Sequence, residues 1–220
     1  MYIMKLIKKL FKFSKKANNL NPSLSQVKIA QHEAAHGIVW YLFKDYWSVN
    51  SLTIERNGLP DESMNGALHI SANFDVERET NIQRANEIFA IAMAGLIGQN
   101  IELIKQSDML LIQVARAQHF NQILNTTGCS GDFEIAIRYL SHLASHFNTN
   151  EYSFMKYKLM DLIDVFQNHY KVQYLHQLLT ERLLEIGTID RDELSDFFEN
   201  NNFQEYIEYE NLDIIFFYNQ

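Results

Sequence analysis

The sequence predicts an α+β domain that is mainly α, with one small hairpin. Three observations carry this. Two prolines and eight glycines in 220 residues leave little room for a loop-rich or all-β chain. Apolar residues recur at helical spacing over most of the chain. Alternation appears only in 49–56 and 66–72 (Val49, Leu52, Ile54; Leu68, Ile70), on either side of the turn-rich NGLPDESMNG. At 47% hydrophobic and 21% charged, the chain has the means to build a soluble core.

Residues 1–16 read MYIMKLIKKLFKFSKK, with apolar residues interrupted by Lys5, Lys8, Lys9, Lys12, Lys15 and Lys16. A signal peptide needs an unbroken apolar stretch after its basic start, and the lysines prevent one. A basic amphipathic helix in peripheral contact with an anionic membrane surface fits this segment. So does a solvated helix or tail that packs its apolar side on the domain. No stretch reaches the ~20 apolar residues of a membrane span; the best, 88–98, is far too short.

Asn21-Pro22-Ser23-Leu24-Ser25 is a helix-entry signal, and a helix follows from about Ser25 to about Lys44, with Val27, Ala30, Ala34, Ile38 and Tyr41 on one face. After the hairpin the pattern is helical over roughly 78–105, 108–123, 131–147, 151–184 and 190–199. The last 20 residues are acidic and aromatic and carry no assignable period. The chain thus divides into a basic segment (1–20), one domain (21–200) and an acidic aromatic tail (201–220). A net charge of −8 argues against nucleic acid as a partner. The single cysteine, Cys129, excludes an internal disulfide framework, and a reducing cytoplasm is the simplest compartment.

The first helix contains His32-Glu33-Ala34-Ala35-His36. Positions i and i+4 lie on one helical face about a turn apart, so both imidazoles can reach one metal ion. The glutamate is rotated off that face, toward the metal's open position, where its carboxylate can accept a proton from water. This is the arrangement of a zinc hydrolase.

Zinc held with one position open needs a third protein ligand. Thr126-Thr127-Gly128-Cys129-Ser130-Gly131-Asp132-Phe133-Glu134 stands out, with two glycines for a tight loop and Asp132 in the first turn of a helix that Ser130 can cap. An acid in a first turn is also favoured by the helix dipole alone. The residues themselves leave both readings open.

In order, His-Glu-Ala-Ala-His, Gly66-Ala67-Leu68, Ala94-Gly95-Leu96-Ile97-Gly98-Gln99 and TTGCSGDFEIA resemble the peptidase domain of FtsH-type AAA proteases over roughly residues 25–198. The resemblance implies a helical metallopeptidase domain in which His32, His36 and Asp132 bind Zn2+ and Glu33 is the catalytic base. It also suggests that the strand near Gly66 to Ile70 binds a substrate chain edge-on. Ala35 stands where the family has glycine, and Leu96 and Gln99 where it has arginine and glutamate. None of the eight glycines precedes a lysine, so these residues hold no phosphate loop. A polypeptide substrate must then be unfolded, flexible, or delivered by a separate unfoldase or adaptor. The family forms six-membered rings, much of which its motor domains build, so oligomeric state stays open.

Other groups promise less. His142 and His146 are also four apart, but Leu143 stands where a base would be needed. On one helix Asp132 and His142 lie about 15 Å apart, too far to share an ion. His69, His119, His169 and His176 have no partner pattern. Cys129 at a helix start could be an activated thiol, but no histidine base is evident beside it. Two functions follow: an ATP-independent zinc endopeptidase, or a catalytically silent zinc-stabilised adaptor or regulatory module. Zinc content does not separate them, whereas turnover does.

Overall fold

The computed structural model describes residues 24–55, 66–72, 81–101 and 130–212. The expected helix at 108–123, the basic segment 1–16, most of the hairpin loop, and Thr126 to Cys129 lie outside the described residues. Within them the protein is mainly helical with one small antiparallel sheet, as the composition and periodicity predict.

Helix α1 (Leu24–Leu42) is the axis of the domain. Ala30, Ala34, Ile38 and Tyr41 are buried, as their spacing requires, but so is nearly every other residue from His32 to Phe43. From His32 onward the helix is surrounded rather than half-exposed, whereas Ser25, Gln26 and Lys28 in its first turns are exposed. A β-carbon at Gly37 would stand 3.1 Å from Leu52 on the sheet and 3.2 Å from Leu179 on a later helix, which places α1 between these two layers.

Strands β1 (Trp47–Thr53) and β2 (Ala67–Ala72) form the expected antiparallel hairpin, paired from Trp47↔Ala72 to Thr53↔Ala67 with a bulge between Val49 and Ser51. A third strand, β3 (Thr188–Asp190), pairs with Ser51–Thr53 and makes the order β2-β1-β3. Three residues are too few for alternation to show, so the sequence gives no sign of it.

Helix α2 (Ile82–Gly98) starts where the Asn81 side chain accepts from the Gln83 and Arg84 amides. Every residue from Ala85 to Gly98 is buried, Glu87 included. Arg84 and the Trp47 indole donate to the Glu87 carboxylate, which burial nonetheless pushes above its ordinary range.

Helix α3 (Ser130–His146) is followed by α4 (Glu151–Asn168) and α5 (Tyr170–Ile186). The sequence reads 151–184 as one helix; the chain instead breaks at His169, whose φ of −104° and ψ of 101° are extended. The apolar rhythm continues through the break, with Phe166, Val172 and Leu175 all buried, and no proline or glycine marks it. Tertiary packing therefore sets the corner. Gly187 ends α5 at φ 79°, a left-handed turn that glycine adopts without strain, and its amide donates to Leu183 O at 2.8 Å. Helix α6 (Arg191–Asn200) is capped by Asp190, which accepts from Glu193 N. The tail, unassigned from sequence, contains α7 (Phe203–Glu210). Its Phe203 ring stacks on Tyr41 and Phe198 at 5.6 and 5.5 Å, tying it to α1 and α6.

Candidate metal centre

The two histidines meet because α1 is regular through 32–36. Their Nε2 atoms lie 2.9 Å apart, with the rings edge-to-face. Helix α2 passes beside them in the opposite sense, Ile91 against His36 and Gly98 against Gln31 and Ala35. His36 Nδ1 donates to Ile91 O at 2.7 Å. With Nδ1–H committed there, a neutral His36 presents its lone pair at Nε2, the form in which imidazole binds a metal. Gly95 leaves the space for the rings: a β-carbon there would stand 2.5 Å from His32 Nε2 and 2.6 Å from His36 Nε2.

Asp132 arrives from the first turn of α3, which packs on α2. Its Oδ2 lies 2.8 Å from His32 Nε2 and 3.4 Å from His36 Nε2. Burial works to raise the Asp132 pKa, but His36 and His32 outweigh it by charge and hydrogen bonding, and hold the carboxyl well below the usual range. The ligand atoms of His32, His36 and Asp132 all lie within 4.8 Å of one another. Tetrahedral zinc with bonds near 2.0–2.1 Å needs ligands about 3.3 Å apart, so small shifts would fit the set around one ion. Two imidazoles and a carboxylate are suited to zinc and to other divalent transition metals alike. This buried group could hold a metal ion.

Glu33 is 4% exposed, and its Oε2 has no hydrogen-bond partner among the described residues. Burial raises its pKa to about 7, against the opposing pull of His32 and His36. The first residue before β2 lies against the same carboxylate, since a β-carbon at Gly66 would be 2.6 Å from Glu33 Oε1. A buried carboxylate with one unpartnered oxygen among the described residues, beside three metal-type donors, suits a proton acceptor.

All four residues singled out from the sequence are thus brought together. His142 and His146 are exposed on α3, and join no such group among the described residues. Two supporting groups were not foreseen. One is the Ile91 carbonyl. The other is His176, a histidine with no partner pattern, whose Nε2 donates to Gln31 O at 2.8 Å and so braces α1 next to His32. Neither carries a sequence signal, because a backbone carbonyl has none and His176 lies 145 positions from its partner. Comparison with models of known protein families and with curated proteins finds no match.

Proposed function

We propose that this protein is a zinc-dependent endopeptidase acting on unfolded or flexible polypeptide. The observation that carries the reading is Glu33, a buried carboxylate with an oxygen that has no partner among the described residues, beside the His32–His36–Asp132 group. His32, His36 and Asp132 would hold the ion. Zinc bound there supplies Lewis acidity toward a peptide carbonyl and toward water.

Glu33 accepts the proton of the attacking water as its oxygen bonds to the carbonyl carbon. It then delivers that proton to the amide nitrogen as the carbon–nitrogen bond breaks, which leaves one carboxylic acid and one amine. His36, fixed by Ile91 O, and His32, braced through Gln31, keep the donors in register during the cycle.

Strand β2 supports a polypeptide substrate. It is an edge of the sheet among the described residues, and it starts beside Glu33. An extended chain added along that edge would gain backbone hydrogen bonds that tolerate any side chain. No phosphate loop occurs in these 220 residues, so they do not by themselves unfold a folded substrate.

The test is cleavage of an unfolded polypeptide by zinc-loaded protein beside Glu33→Gln. Loss of cleavage in the variant with zinc retained supports the peptidase. A zinc-loaded but inert parent protein would replace it with the silent adaptor or regulatory module.

A further inference from the structure

We propose that the cleft between the turn after α1, the start of β1 and the first turns of α6 is a binding site for inorganic phosphate. The topology leaves the space. Strand β3 pairs only with Ser51–Thr53 of β1, and the chain then turns into α6, which packs on β1. Beside Ser48, where β3 no longer follows β1, there is a cavity of about 180 Å³. That is below the ~300–1,000 Å³ of pockets for drug-sized ligands, and about six times the roughly 30 Å³ share of one water molecule. A small ion fits it, and a nucleotide does not.

Donors reach this cavity from separate elements. Lys44 comes from the turn after α1, Ser48 from β1, and Arg191 with Ser195 from α6, where a spacing of four puts both on one face. Lys44 Nζ donates to Tyr41 OH at 2.9 Å and lies 4.1 Å from the centre of that ring, which leaves two of its three donors for a ligand. Among the described residues, Arg191 has no ion pair and no side-chain hydrogen bond, and the Ser48 and Ser195 hydroxyls have no partner either. In a chain of net charge −8, two cations at one cavity without a carboxylate bound to them mark a place for an anion. A planar carboxylate is satisfied by a single guanidinium. A tetrahedral phosphate instead accepts from donors in several directions at once, as they are arranged here.

Asp45 lines the same cavity and decides which anion it takes. Its carboxylate repels an anion that can only accept hydrogen bonds. Inorganic phosphate near neutral pH still carries a P–O–H, which donates to a carboxylate. Sulfate carries no proton there, and a phosphomonoester, with its second pKa near ~6, is largely a dianion without one. Two cations against one acid keep the cavity attractive to phosphate, while Asp45 turns the other two away. Both tryptophans of the chain, Trp40 and Trp47, wall this cavity, and the Trp40 indole donates to Trp47 O. Intrinsic tryptophan emission therefore reports on this cleft alone. The proposal stands whether or not the metal centre is a peptidase.

The experiment is a titration of the full zinc-loaded chain with sodium phosphate, followed by tryptophan emission and by equilibrium dialysis of radiolabelled phosphate. Chloride holds the ionic strength constant, so that general screening does not change along the titration. Saturable binding of one phosphate per chain is expected. Arg191→Gln should weaken it about tenfold or more, with the melting temperature unchanged, because this exposed guanidinium supports no other side chain. Sulfate and glycerol phosphate should bind at least about tenfold more weakly than phosphate, and Asp45→Asn should narrow that gap. Dialysis that finds no bound phosphate at millimolar concentration overturns the proposal. So does binding that Arg191→Gln leaves intact, since the ion then sits elsewhere, the metal centre included. Sulfate held as tightly as phosphate would also overturn it, by making the cleft a general anion patch.

Discussion

Gly95 and His36 approach so closely that a β-carbon at position 95 would stand 2.6 Å from the imidazole Nε2. Glycine within a helix costs about 1 kcal/mol relative to alanine, so Gly95→Ala strengthens α2 locally while it intrudes on the ring pair. The buried surroundings leave the rings little room to retreat. Zinc affinity, measured by competition with a chromophoric chelator, should fall at least about tenfold in this variant. Unchanged affinity would show that the rings do not need that space.

Asp132 separates two physical accounts of the α3 start. As a ligand, its replacement in Asp132→Asn should lower zinc affinity by orders of magnitude and abolish turnover. As a mere first-turn acid, it should cost only about 0.3–1 kcal/mol of stability and leave zinc in place. Metal content and thermal melting of the same preparation decide between them.

Glu33→Gln should retain zinc and lose about 10²–10⁴ in turnover, the usual contribution of a positioned general base. Equal residual cleavage in variant and parent would point to a contaminant.

The metal-free protein should show the Glu33 environment in its stability. The folded-state pKa of about 7 lies above the ordinary 4.5, so the folded protein keeps a proton that the unfolded chain has lost across this window. Stability therefore declines as pH rises through it, by at most about 3 kcal/mol at 1.36 kcal/mol per pH unit. Glu33→Gln lacks this loss. In chelator, the stability of the variant relative to the parent should grow from about pH 4.5 to 7 and level off on either side. Urea unfolding of both proteins over that range checks it, and a constant gap would contradict burial as the cause.

An extended peptide bound along β2 should slow amide exchange over residues 67–72 in the Glu33→Gln protein, where it is not consumed. Exchange that stays unchanged at saturating peptide would remove the edge-strand mode of binding.

Much of this was legible in the sequence because it is local. The helical period located α1, α2, α3 and α6, and alternation located β1 and β2. The His32–His36 pairing needs nothing beyond the geometry of one helical turn. Other features depend on contacts between distant segments. The break at His169 interrupts an apolar rhythm that would serve one long helix equally well. Strand β3 is too short to show a period and exists because β1 offers it an edge. Asp132 sits 96 positions beyond His36, and a first-turn acid looks the same whether or not a metal is near it. Only the packing of α3 on α2 and α2 on α1 brings its carboxylate to the histidines. The same packing buries Glu33, aims Ile91 O at His36 and sets Gly95 against both rings. Residue spacing encodes which side chains share a face, whereas the approach of one face to another is fixed only when the whole core closes.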